Sequence, residues 1–259
     1  ISYYFAGFIN EWLDWHWAFA LSALGPGICI LAALALLRPK PLAGEAAVPW
    51  SALFDFRPIL RNREAMAYIL SYSAHNWELF GFRSWIVAFL VFSLSLQHEP
   101  DLFAISATAI AAMVNLLGLP ASVIGNEIAT RFGRRRVVAA IMAASAILGV
   151  AVGFSPGLPF VMVVALLALY DITVSGESAS VTTGTILAAP PERKGAAMAM
   201  HTFLGFAFAF LGSLAPGIAL DMFGGTSSAL AWSLAFVVMA LGAAAGPAIL
   251  FTLAKGRLR

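Results

Sequence analysis

Apolar residues along this chain fall in long unbroken runs, not in the one-in-two alternation of half-buried strands or the narrow stripe of a surface helix. Seven complete runs can be marked: Trp17 to Leu37, Met66 to Leu96, Phe103 to Ile124, Val137 to Phe154, Leu158 to about Ile186, Gly195 to Leu220, and Ala229 to Ala254. Ile1 to Ile9 has the look of the tail of another. A helix rises about 1.5 Å per residue and a bilayer core is about 30 Å thick, so each run predicts a helix able to cross. Run length excludes strands, and the short alternating segments of a membrane β-barrel are absent. The fold class expected is all-α, a polytopic membrane protein.

Composition agrees with the pattern. At 61% hydrophobic and 11% charged, with mean hydropathy +0.89, the 259 residues carry more apolar side chain than one soluble core can hide. The surplus must face lipid. A net charge of +2 without aromatic interleaving gives no nucleic-acid interface. A single cysteine, Cys29, inside an apolar run excludes an intrachain disulfide and a cysteine-based metal site. The opening "ISYYFAGF" has no basic n-region or small-residue cleavage site, so it is not a signal peptide and reads as a chain that begins mid-protein.

Charge alternates from one connection to the next. Arg38, Lys40, Arg57, Arg61 and Arg63 form one group, Arg131 and Arg134 to Arg136 a second, Arg193 and Lys194 a third, and Lys255, Arg257 and Arg259 a fourth. The intervening connections "NEWLDWH", "QHEPDL", "SPGLP" and "MFGGTSS" have neither Lys nor Arg. Fourteen of the 15 basic residues therefore share one side, which the positive-inside rule makes cytoplasmic, in the cell (inner) membrane. Trp12, Trp15 and Trp17 are placed as interfacial anchors at the far end of the first full span. The Pro- and Arg-rich stretch 38–63 divides residues 1–37, one helix and a stub, from a six-helix unit over 64–259. Its "WSALFDF" is either a short amphipathic helix on the inner leaflet or a solvated linker.

Six helices preceded by a long basic linker, with an arginine block after the second, resemble the second half of a transporter of the major facilitator superfamily. That family carries a Gly-x-x-x-Asp-Arg-x-Gly-Arg-Arg-Arg type signature after its second helix and a weaker copy between its eighth and ninth. Here "NEIATRFGRRR" matches at Arg131, Gly133, Arg134, Arg135 and Arg136, and departs at Asn126 and at Thr130, where the Asp is expected. The family's Asp joins a charge network that holds cytoplasmic helix ends together; Thr130 has no charge to give, so a gate here requires Glu127 to substitute. Gly133 permits a tight turn, and the arginines fix topology whether or not the loop also gates. "WHWAF", Trp15 to Phe19, is similar to the opening of the family's sixth helix, and Pro190 to Asp221 to its eleventh. The resemblance implies an MFS-type six-helix bundle plus part of the N-terminal half, from the end of helix five through helix twelve. The missing N-terminal helices, one to four, are then partners within the same protein.

Ionisable groups inside a span are costly unless they face a cavity or a partner, so each is a functional candidate. Ser71, His75 and Glu78 lie at i, i+4 and i+7, on one stripe, with Tyr72, Asn76 and Arg83 about 100° round the same helix. They make a substrate or proton pathway, or an internal network that only stabilises packing. Asp171, Ser175, Ser178, Thr182 and Thr185 form a second stripe, from which Glu177 is offset by about 120°. Both carboxylates enter one pathway only if the helix is irregular, which Gly176 and Gly184 permit. Glu177 with Ser178 is preferred, on the family resemblance, with Asp171 the alternative. His201 lies about 9 Å inside its helix and suits a proton relay with Glu78 or Glu177, or is a satisfied hydrogen-bonding residue. Gly205, Gly212, Pro216 and Gly217 on the same helix allow close packing, and Pro216 a kink.

No nucleophile elbow, P-loop or zinc-binding His pair occurs, so neither an enzyme nor a metal or other cofactor is expected. The function expected is secondary active transport of a small-molecule substrate through the lipid bilayer by alternating access, coupled to protons through Glu78 and one of Asp171 or Glu177. Arg83 would hold an anionic substrate or pair with a carboxylate. The alternative is a membrane receptor or assembly factor that keeps such a fold without transporting.

Overall fold

A computed structural model describes residues 2–37, 55–97 and 105–253. Among these residues every regular element is helical. The N-terminal part has α1 (Ser2–Trp12), α2 (Trp15–Ser22) and α3 (Leu24–Leu36). Then follow α4 (Arg57–Arg61), α5 (Arg63–Ser95), α6 (Ala107–Leu116), α7 (Gly118–Phe132), α8 (Arg134–Gly153), α9 (Phe160–Gly176) and α10 (Ser178–Ala188). A 3-10 turn, Pro191–Arg193, leads into α11 (Lys194–Met222), and α12 (Ala229–Leu253) comes last. Joined across short breaks, these give 7 helices long and apolar enough to cross a membrane. The expected start at Phe103, the end at Ala254, most of "WSALFDF" and "QHEPDL", and the cations at 38, 40, 255, 257 and 259 lie outside the described residues.

Helix ends differ from the expected ones for local reasons. The first full span starts at Trp15, not Trp17, because Asp14 caps it, accepting from the amides of His16 (2.8 Å) and Trp17 (3.2 Å). Asn62 caps α5 at Ala65 N–H (3.1 Å), and Ser106 caps α6 at Ala109 N–H (3.3 Å). The second bundle helix runs past Ile124 to Phe132, carrying much of the arginine motif as helix. Three spans are broken. Pro26 stands just after the α2–α3 break and Pro120 just after the α6–α7 break, each lacking the N–H that would continue the ladder. The third break, at Gly176–Glu177, has no proline.

In lipid, helices gain little from hiding apolar surface and associate through close packing. The sequence supplies this through α5, which packs most heavily on α11 and also on α12 and α10, while α12 lies along α8. At the α5–α11 crossing a Cβ on Gly81 would come within 2.8 Å of the Gly212 carbonyl, and one on Gly212 would strike the Trp77 backbone. Gly212 is four residues before Pro216, so its carbonyl lacks the usual helical donor and is turned towards α5. Trp85 Nε1–H donates to the neighbouring Ser213 carbonyl (3.0 Å). An aromatic layer of Phe89, Trp232 and Phe236 fills the other half of the core, with ring centroids 4.8 to 5.4 Å apart.

The two ends of the bundle differ. At one, Asn62 donates to the Ala188 carbonyl (2.8 Å), Arg63 to that of Thr252 (3.5 Å), and Ile59 is buried against the cluster of Ile69, Ala189 and Ala197. This basic end collects Arg57, Arg61, Arg63, Arg193 and Lys194, together with the arginine turn at Gly133. At the far end Ser93 donates to the Pro156 carbonyl (3.0 Å) and Gln97 to that of Leu158 (3.1 Å), with no Lys or Arg among the described residues there. The Trp15–Leu36 span stands apart from this unit, with none of its hydrophobic window buried.

Candidate functional site

The stripe expected on α5 exists: Ser71, His75 and Glu78 are all fully buried and point into the six-helix unit. Glu78 accepts hydrogen bonds from Tyr170 Oη of α9 (3.0 Å, on Oε1) and Ser145 Oγ of α8 (3.1 Å, on Oε2). One turn towards the basic end, His75 Nδ1 lies 3.1 Å from Oε1 of Glu177, also fully buried. Glu78 and Glu177 lie within each other's electrostatic field, as do Glu177 and Tyr170. Two carboxyls, an imidazole and a phenol thus meet inside a shell of helices, where two adjacent negative charges without water would be severely unfavourable. Sharing protons within the cluster is the chemistry open to them.

Glu177 reaches His75 because the helix is broken there. Glu177 lies between α9 and α10, at the C-cap position of one and the N-cap position of the other, with φ −90° and ψ −10°. The 120° offset from Asp171 that a regular helix would impose is relieved at this point. Asp171 nevertheless goes elsewhere: it is fully buried beside Gly118 at the start of α7, in the field of the Arg83 guanidinium. The carboxylates therefore divide into two groups, Glu78 with Glu177 and Asp171 with Arg83.

His201 of α11 stacks on Tyr72 of α5, with ring centroids 3.7 Å apart and planes at 14°. Its Nδ1 lies 3.1 Å from Thr185 Oγ1 and its Nε2 3.4 Å from Thr182 Oγ1. Gly205 makes room for the stack: a Cβ there would collide with Tyr72 and come within 2.7 Å of Asn76 Nδ2. Tyr72 also stacks towards His75 at 5.9 Å, so His75, Tyr72 and His201 form an aromatic file leading towards the basic end. Gly217 lies where a Cβ would approach the Trp85 ring to 2.8 Å. The half-buried Ser178 begins α10 next to the break.

The arginine motif folds tightly. Gly133 joins α7 and α8 at φ +95°, a conformation that L side chains rarely adopt. Glu127 pairs with Arg131 four residues on in its own helix (2.8 Å), with both side chains exposed. The residues that depart from the signature take up Arg134 instead. Asn126 Oδ1 accepts from its Nη1 (2.7 Å) and Thr130 Oγ1 from its Nη2 (3.2 Å), while Nη1 also donates to the Ser180 carbonyl of α10 (3.3 Å). Arg134 and Arg135 also act electrostatically on Tyr68 of α5. Arg136 is exposed. A cavity of about 370 Å³ lies on the outer flank of α7 beside the Glu127–Arg131 pair, away from the buried carboxyls.

Sequence reasoning missed Tyr170, Ser145 and Ser122. Tyr170, the residue before Asp171 in an otherwise apolar run, was a usable signal; a serine in a membrane helix is too common to stand out.

The family model for the Major Facilitator Superfamily matches residues 1–213. No curated protein matches the chain. A match over most of the chain, carried on an all-helical structure with 7 membrane-length helices, settles membership: the chain belongs to the major facilitator superfamily and is a multi-pass membrane transporter.

Proposed function

We propose that the protein moves a small solute by alternating access and couples that movement to protons, with Glu177, His75 and Glu78 as the proton-carrying cluster. The observation that carries this reading is the 3.1 Å contact between His75 and Glu177 at the break of a membrane helix, with both side chains fully buried. Such a pair is shielded from solvent while sealed and exchanges a proton with water when the helices part. Asp171 with Arg83 forms the solute side: Arg83 is partly exposed, and an anionic group on the solute competes with Asp171 for it. His201 stands on the route between the cluster and the basic end, which we place in the cytoplasm of the cell (inner) membrane on the positive-inside rule.

The test uses the full-length transporter in proteoliposomes loaded with a pH-sensitive dye. Radiolabelled uptake of a panel of small organic anions and cations is measured with and without an imposed pH gradient. For any solute transported, Glu177→Gln and Glu78→Gln are expected to lose gradient-driven accumulation while retaining exchange of the solute down its own gradient. Unchanged gradient dependence in both variants removes the coupling assignment.

A further inference from the structure

Glu177 stands at the N-cap position of α10, yet its side chain does not cap the helix. The first N–H groups of a helix have no partner inside that helix, and the side chain of the cap residue usually supplies one. Here the Glu177 carboxyl is directed to His75 (3.1 Å) and makes no cap hydrogen bond. The acceptor comes from another helix: Ser122 Oγ of α7 takes the Ala179 N–H at 3.3 Å. The same two helices are joined nearby by Ser180 Oγ donating to Asn126 Oδ1 (3.4 Å) and by Arg134, which bridges Asn126 and the Ser180 carbonyl. Gly125 lies so close to Gly176 that a Cβ on it would collide with the Gly176 carbonyl. The seam between α7 and α10 thus runs alongside the break.

We propose that Ser122 is a positioning residue for Glu177: by capping α10 from α7, it relieves Glu177 of that task and leaves its carboxyl on His75. Without the Ser122 hydroxyl, the part-buried amide of Ala179 would be left wanting an acceptor inside the protein, at a cost comparable to a lost hydrogen bond. Glu177 stands at the N-cap position of α10, whose side chain ordinarily accepts from the second helical amide, here that of Ala179. Turning to the amide, it would abandon the imidazole. The groups that face Glu177 are His75 and Glu78 from α5 and Tyr170 from α9, with Arg134 of α8 reaching Ser180 on the other flank of the break and His201 of α11 within the field of His75. α7 contributes only the neutral Ser122 and Asn126. The role assigned to Ser122 rests on reading Glu177 as a proton carrier.

Two measurements on the full-length transporter in nanodiscs test it without a known solute. The carbodiimide DCCD attaches to protonated carboxyl groups in apolar surroundings, so its incorporation at Glu177, followed by mass spectrometry over about pH 5 to 9, reads the proton occupancy of that residue. Hydrogen exchange of the Ala179 amide reads the cap. Ser122→Ala is expected to speed Ala179 exchange by about fivefold, as loss of an N-cap does, and to displace the pH midpoint of Glu177 labelling by about one unit. Ser122→Thr, which keeps the hydroxyl, restores both; Ser122→Cys, a poor acceptor of similar size, moves both the same way as alanine and serves if the alanine variant does not assemble. Faster exchange with an unmoved midpoint makes Ser122 a structural cap only and overturns the proposal, as does no change in either. If Glu177→Gln keeps gradient-driven uptake, the proton role fails separately from the Ser122 result. If it loses that uptake while the Ser122→Ala midpoint stays in place, only the positioning role fails.

Discussion

Glu78 shows what a single carboxyl requires in a dry helical interior. It is fully buried, and its two oxygens each have one donor, Tyr170 and Ser145. Removing one donor leaves an acceptor unsatisfied where no water replaces it, so Tyr170→Phe is expected to destabilise the detergent-solubilised protein by about 1–3 kcal/mol, read as a lowered melting temperature. Ser145→Ala should act in the same direction, and the double variant should fall short of the sum because both bonds serve one group. The alignment of Ser71, His75 and Glu78 was legible from spacing alone, since 3.6 residues per turn fixes which positions share a face. Their partners were not. Tyr170 is 92 residues away and Ser145 is 67, and which turn of one helix faces which turn of another depends on the packing of all six.

At the scale of helices, small residues decide how closely the axes approach. Gly125 against Gly176, and Gly212 against Trp77 and Gly81, leave no room for a methyl group. Gly212→Ala should therefore push α11 from α5 and cost about 1–3 kcal/mol, as overpacking does. Gly195, an exposed residue at the start of α11 with nothing near its Cβ position, is the contrast: Gly195→Ala should be neutral or stabilise by up to about 1 kcal/mol through helix propensity. Thermal melts of the two variants side by side check both. Number and approximate extent of the spans were readable because lipid demands length and apolarity together. Two of the three breaks carry a proline nearby, Pro26 and Pro120. The one at Glu177 does not, and glycine at Gly176 allowed a break without requiring one. That break lets Glu177 reach His75 while Asp171 stays beside Gly118 and Arg83, so the choice between the two carboxylates could not be resolved from the helical wheel.

For the molecule as a whole, the segregation of arginine to one end of the bundle predicts a topology. In a Cys29→Ser background, Gly157→Cys at the far end should react with a membrane-impermeant maleimide applied to intact cells, and Arg136→Cys should react only after permeabilisation. Equal labelling of the two from outside would contradict the assigned orientation. The family match and the 7 membrane-length helices agree on a transporter; in the arginine motif, where Thr130 stands in place of the family's Asp, Arg134 is secured through two neutral side chains. Neutral acceptors do not titrate, so this seam should hold across the physiological pH range. The imidazole–carboxyl contact is the opposite case. With both of its members at 0% exposure, any proton lodged there is invisible to bulk buffer until the helices breathe. Under the proposed proton coupling, turnover inherits a clock: however steep the gradient, no cycle runs faster than the enclosure opens.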